Sequence, residues 1–129
     1  MPVGGSSRFN KLAAEIVFGE EFFRLNHSRI SSVQSLSGTG ALRIAFEFMR
    51  LWYPYSENVK VWAPEPTWPT HHFIANGAHF ESASYRYFDS RQKRFNLEWM
   101  AQDISRIQDK QIILLHACAH NPTGSDPSP

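Results

Sequence analysis

The sequence predicts an α/β fold, with a mostly parallel sheet flanked by helices. Three observations carry that expectation. Stretches with apolar residues at helical spacing alternate with short runs of strand type, which favours parallel strands joined by helical crossovers. Ile112, Ile113, Leu114 and Leu115 form a continuous apolar run between polar residues, the pattern of a strand covered on both faces. Turn-forming Gly, Pro and Asn residues mark the junctions, and no internal repeat or low-complexity linker breaks the order.

Taken in order, residues 6–18 place Phe9, Leu12, Ala13, Ile16 and Val17 on one helical face, with Gly19 where a C-terminal cap belongs. Residues 20–28 have mixed charge and no period, so no element is expected there. Residues 30–36 read as a short strand ending at Ser37-Gly38-Thr39-Gly40. A helix follows, with Leu42, Ala45, Phe46, Met49 and Tyr53 at helical spacing; Pro54 stops it because proline cannot continue the hydrogen-bond ladder. Residues 59–63 are a strand, Pro64-Glu65-Pro66 an extended exit, and residues 70–76 a short helix closed by Gly77. Residues 79–87 are the next strand and residues 89–94 a charged surface turn. Asn96 is placed to cap a helix whose apolar face is Leu97, Met100, Ala101 and Ile104, and residues 112–115 are the last strand. Open α/β sheets bind ligands beyond the carboxyl ends of their strands. A parallel sheet therefore brings three unusual turns, at residues 37–40, 65–71 and 116–124, to one pocket.

Composition narrows the partners. The 129 residues hold 13 Lys+Arg and 12 Asp+Glu, a formal net charge of +1, with 42% apolar and 14% aromatic residues. Balanced charge argues against a nucleic-acid partner, and the apolar content argues against disorder. The length suits one domain or part of one. No window approaches 18 uncharged apolar residues, and the start Met1-Pro2-Val3-Gly4-Gly5-Ser6-Ser7 lacks a basic segment followed by an apolar one. Neither a membrane partner nor a secretory leader is expected. The single cysteine, Cys118, fits a reducing compartment, so the expected location is the cytoplasm, with mitochondria as the alternative.

Ser37-Gly38-Thr39-Gly40 stands between a strand and a helix start, where unpaired N–H groups and the positive end of the helix dipole face outward. Glycine lets the backbone approach a ligand, and the Ser37 and Thr39 hydroxyls add donors, so phosphate is the natural ligand. A capped helix start without a ligand is the other reading. The P-loop and dinucleotide glycine patterns are both missing. Trp68, in a proline-flanked loop, is either a lid over the core or a platform for a flat ligand. His71, shortly after it, either orients a pocket group or is structural. His116, Cys118 and His120 alternate, and on a continuing strand they share one face. Zinc normally takes four ligands and no fourth is indicated, so no metal is expected. Asn121-Pro122-Thr123-Gly124 is a strong turn signal, and the Asn121 amide can donate to a ligand oxygen.

Together these residues resemble the aspartate aminotransferases among the pyridoxal-phosphate enzymes. The matching strings are Val33-Gln34-Ser35-Leu36-Ser37-Gly38-Thr39-Gly40-Ala41-Leu42-Arg43-Ile44, Pro66-Thr67-Trp68 with His71, Tyr85-Arg86-Tyr87 with Asp89, and Leu115-His116-Ala117-Cys118-Ala119-His120-Asn121-Pro122-Thr123-Gly124. They run in order over essentially the whole chain. The resemblance implies the amino-terminal part of the large domain of a pyridoxal-phosphate-dependent transferase, with pyridoxal 5'-phosphate as cofactor. It implies that Ser37, Gly38 and Thr39 hold the cofactor phosphate. Trp68 stacks on the pyridine ring and Asn121 donates to the cofactor's phenolic oxygen; both are also implied to bind substrate. His71 and His116 stand behind the ring-nitrogen side, positioning rather than reacting, and Cys118 is a small buried residue. Amino-acid and 2-oxo-acid substrates are implied, with a homodimer as the complete enzyme.

Family members also use a lysine that forms a Schiff base with the cofactor and moves the substrate proton, and an aspartate on the pyridine nitrogen. The resemblance places both beyond residue 129, along with the arginines that bind substrate carboxylates and the tyrosine that shares the phosphate. Lys11, Lys60, Lys93 and Lys110 fall in none of the matching strings. Residues 1–129 are thus expected to be an incomplete large domain with no small domain and no catalytic residue, inactive alone. The implied reaction exchanges the amino group between L-aspartate and 2-oxoglutarate, giving oxaloacetate and L-glutamate. The alternatives are an aromatic-amino-acid transaminase and a non-catalytic truncated product that pairs with a full-length subunit.

Overall fold

The structure, a computed structural model, describes residues 2–127. The chain divides into two compact units, Met1–Ala41 and Leu42–Pro129.

In the first unit, helix α1 (Ser7–Phe18) starts where the Ser6 hydroxyl accepts the Phe9 N–H, and it ends at Gly19, whose φ of 81° lies in the left-handed region that glycine tolerates. A second helix, α2 (Glu20–Asn26), follows at once, where no element was expected. Its signal is charge rather than period: Glu20 and Glu21 stand in the first turn and Arg24 in the last, each complementing the helix dipole. Phe18 and Phe22 stack across the joint at 6.1 Å. The strand expected at residues 30–36 does not form. That segment has no ladder partner among the described residues; instead the Gln34 N–H donates to the Gly4 carbonyl and the Asn10 amide donates to the carbonyls of Gly4 and Ser32. Four of its seven residues are Ser or Gln, which such isolated side-chain and loop bonds satisfy as well as a sheet does. Helix α3 (Ser37–Trp52) then begins on Ser37 itself, and its first turn closes this unit.

The second unit holds a three-stranded parallel sheet in the order β2-β1-β5, made of β1 (Lys60–Glu65), β2 (Glu81–Arg86) and β5 (Ile112–Ile113). Parallel pairing matches the expectation. Pro64 and Glu65, expected as an exit, belong to β1. Helix α4 (Thr70–Gly77) makes the crossover from β1 to β2 and packs on both. The charged turn at residues 89–94 is a small hairpin of β3 (Phe88–Asp89) and β4 (Arg94–Phe95), closed by the Asp89 carboxylate accepting the N–H groups of Arg91 and Gln92. Helix α5 (Leu97–Ile104) starts at Asn96, whose side chain accepts the Trp99 N–H at 3.0 Å, and packs on β2. β5 is shorter than expected and only half-buried, with Leu115 exposed; the Leu114 N–H still reaches the Trp62 carbonyl at 2.8 Å. The core gathers Phe46 from α3, Val59, Val61 of β1, Ile74, Ala75 and Ala78 around α4, and Phe80, with Ile112 and Leu114 packed against it. β1 thus lies between its two neighbours, and the carboxyl ends of all three strands point the same way.

Candidate active site

Beyond that end of the sheet, Thr67 and Trp68 follow β1, His71 sits in the first turn of α4, and the loop after β5 carries His116 to Asp126. Their rings form a continuous series. Trp68 meets His71 edge-on at 5.4 Å, His71 meets His116 at 5.1 Å, His116 stacks on His120 at 4.3 Å, and His120 stacks on Tyr87 at 3.9 Å.

Hydrogen bonds give the series a polarity, assigned here from donor and acceptor capacity. The Asn121 backbone N–H can only donate, and it meets His116 Nδ1 at 3.1 Å. Neutral His116 therefore carries its proton on Nε2, which faces Thr67 Oγ1 at 3.5 Å. The Thr67 hydroxyl also bonds His71 Nδ1 at 2.8 Å; where it donates there, His71 carries its proton on Nε2. Burial disfavours the charged form of all three imidazoles. It pushes His71 down to about 4, helped by the neighbouring charges that His116, His72 and His120 would carry, and it also lowers His116 and His120. The pKa of Asp126 is lowered too, but there the charged form is favoured: its carboxylate accepts the backbone N–H groups of His120 and Ala119.

The second unit therefore brings Trp68, His71, His116 and the Asn121 backbone together. Trp68 is half-buried, and the exposed Asn121 side chain makes no hydrogen bond among the described residues. Ser37, Gly38 and Thr39 form the start of α3 in the first unit, all exposed. A Cβ built on Gly38 meets nothing within 4 Å, so the space above that helix start is open. Two expectations are corrected. Cys118 is exposed, not buried, because the strand stops at Ile113 and the loop turns outward, with Ala119 at a φ of 50°. For the same reason His116, Cys118 and His120 do not share a strand face; His116 and His120 stack instead. No group of three His, Cys, Asp or Glu side chains is placed to hold a metal among the described residues. Among them, too, no helix is long and apolar enough to cross a membrane. Thr67, Tyr87 and Asp126 went unassigned in the sequence. Thr67 and Tyr87 stand inside the quoted strings, but nothing local tells that they also reach His116 and Ser125, about fifty and forty residues away.

Known proteins show the family of the chain. Residues 1–129 match the family described as Aminotransferase class I and II. The chain is 44% identical over 127 residues to the mitochondrial aspartate aminotransferase of Dictyostelium discoideum, covering 98% of this chain and 29% of that one. Among solved structures, the cytoplasmic aspartate aminotransferase of Saccharomyces cerevisiae superposes with a TM-score of 0.89 at 36% identity, covering 99% of this chain and 30% of that chain. The aromatic-amino-acid aminotransferase of Burkholderia pseudomallei, covalently bound to pyridoxal phosphate, superposes with a TM-score of 0.92 at 30% identity, covering 99% and 31%. The chain thus spans about a third of the length of these relatives. Matched to the family model over residues 1–129 and 44% identical over 127 residues to a member of it, the chain belongs to the class I and II aminotransferases.

Proposed function

We propose that residues 1–129 belong to the large, cofactor-binding domain of an aspartate aminotransferase, an enzyme that exchanges the amino group between L-aspartate and 2-oxoglutarate with pyridoxal phosphate and works as a homodimer. The observation that best supports this is the assembly of Trp68, His71 and His116, with the Asn121 backbone, beyond β1 and β5. The open start of α3 suits a phosphate. It offers a helix start, where backbone N–H groups are left over by the helix itself, two hydroxyls, and a glycine with no neighbour to fend a ligand off. When bound, pyridoxal phosphate supplies an electron sink for reactions at the amino-acid α-carbon.

The chain's own residues then have separate tasks. Ser37, Gly38 and Thr39 bind phosphate oxygens. Trp68 offers an indole face to a flat ring and limits water access. Asn121 donates from its side-chain amide to an oxygen on that ring, its backbone being pinned to His116. Thr67 holds His71 in the tautomer that donates from Nε2. Aromatic-amino-acid transamination is the second reading, favoured by the Burkholderia neighbours. Cytoplasmic residence, the compartment of the yeast neighbour, goes with the proposal and is checked by cell fractionation.

Titrating pyridoxal phosphate or inorganic phosphate into ¹⁵N-labelled chain tests the phosphate site. Amide shifts centred on Gly38 are expected, with weak reversible binding. Gly38→Val fills the open space without a clash, so it should keep the fold and abolish those shifts. A folded wild-type chain whose Gly38 region ignores both ligands refutes the assignment. Substrate choice is decided by assaying a full-length protein carrying these residues against aspartate and phenylalanine.

A further inference from the structure

His120 is the least exposed of the buried polar residues, at 1%, and no role above uses it. Its ring lies flat between two others, 3.9 Å and 12° from Tyr87 on one face, and 4.3 Å and 26° from His116 on the other. Nδ1 is 2.8 Å from Thr123 Oγ1, its N–H donates to Asp126, and its carbonyl accepts the Gly124 N–H. Both faces, one ring nitrogen and both backbone groups are therefore held, while Nε2 has no partner among the described residues. Tyr87 is anchored independently: its ring rests against Phe95 at 4.7 Å and its hydroxyl donates to the Ser125 carbonyl at 2.8 Å. The stack thus runs from a fixed wall, Tyr87, through His120 to His116.

His116 lacks such anchoring. It is half-exposed, and its polar bonds are the one from Asn121 and the long one to Thr67. Without the ring behind it, a slot as wide as an imidazole would open between His116 and Tyr87, and the His116 ring could turn into it. Its Nδ1 would then leave the Asn121 N–H. We propose that His120 is a positioning residue: as a flat spacer it fixes the His116 ring in the orientation that accepts the Asn121 N–H, and so sets where the Asn121 side chain points. The functional meaning of that aim rests on the role of Asn121 proposed above, but the positioning itself is read without any cofactor.

The test uses the 129-residue chain with ¹⁵N-labelled histidine, reading ring tautomers from long-range proton–nitrogen spectra and the Asn121 amide from backbone spectra. Wild type is expected to show His116 as one neutral tautomer protonated at Nε2, with the Asn121 amide shifted downfield by its aromatic nitrogen acceptor. His120→Ala should give mixed His116 tautomers and lose the Asn121 shift, while the Trp99 amide at the start of α5 keeps its position and reports an intact fold. His120→Phe, which keeps a flat ring but has no Nδ1, should restore both signatures. A mixed His116 tautomer in wild type overturns the proposal. So does an unchanged His116 in a folded His120→Ala chain, or its loss in a folded His120→Phe chain. If His120→Ala does not fold, the His120→Phe result decides alone. Failure of pyridoxal phosphate to bind while these signatures hold would count against the aminotransferase reading and leave the positioning role intact.

Discussion

Thr67 has one hydroxyl and two histidine neighbours, and that hydroxyl links His71 to His116. Thr67→Val keeps the shape but strands His71 Nδ1 in a buried position. It should cost about 1–3 kcal/mol in urea unfolding, with Thr67→Ser recovering most of the loss. The histidines also couple the fold to pH. His71 is pushed from 6.5 down to about 4 in the folded chain, and His116 and His120 are shifted the same way. Below pH 6.5 the unfolded chain binds protons that the folded chain refuses, so stability falls as pH drops from 6.5 toward 4. Below 4 the His71 contribution is gone. Urea midpoints measured from pH 7.5 to 4 should decline through that window, and His71→Phe should flatten the decline; a flat wild-type profile refutes the neutral assignment. At this scale the sequence shows residue type and place in a string. Trp68 and Asn121 could be named from it, whereas His120 was read only as a zinc candidate, because stacking on Tyr87 depends on a contact across more than thirty residues.

Elements differ in how much of their cause is local. Helix α5 is written in its own residues: Asn96 accepts the Trp99 N–H, and Leu97, Met100, Ala101 and Ile104 supply the apolar spacing. Asn96→Ala should therefore cost about 1 kcal/mol and lower the thermal midpoint by a few degrees, measured by circular dichroism. The sheet depends on longer reach. Tyr85, 1% exposed on β2, donates its hydroxyl to the Leu114 carbonyl just past β5, across the central strand. Burial pushes its pKa up to about 12, so the phenol stays a donor throughout the useful pH range. Tyr85→Phe leaves that carbonyl unpaired and should destabilise the second unit by roughly 1–2 kcal/mol, with the Leu114 amide losing hydrogen-exchange protection first. The same distinction explains the two missed elements. Residues 30–36 are mostly Ser and Gln and find no strand to pair with among the described residues, and α2 has little apolar period, so its dipole-complementing charges were the only local sign.

For the whole molecule, the positions of the lysines matter most. Lys60 opens β1 and Lys110 precedes β5, both at the amino end of the sheet, away from Trp68 and His116; Lys60 pairs with Glu81, and Lys110 lies over the Tyr55 ring. Lys93 lies in the β3–β4 turn and Lys11 pairs with Glu15 on α1. With none of the four lysines inside the four matching strings, the 129-residue polypeptide by itself should not transaminate. Positioned acid–base catalysis alone is worth about 10²–10⁴-fold. Oxaloacetate formation from aspartate and 2-oxoglutarate should match that of free pyridoxal phosphate; a rate far above it refutes the expectation. The second unit also exposes Phe48, Leu51 and Trp52 on α3, with Phe73, Leu97 and Leu115 elsewhere, so its elution volume should fall with increasing concentration. The periodicities of α1, α3, α4 and α5 and the α/β alternation were legible from residue order, because helix faces, caps and proline stops act over a few neighbours. The strand order β2-β1-β5, the shortness of β5, the outward turn that exposes Cys118, and the Trp68–His71–His116–His120–Tyr87 series were not. Each of these depends on packing between residues far apart in the chain, and no local pattern encodes such packing.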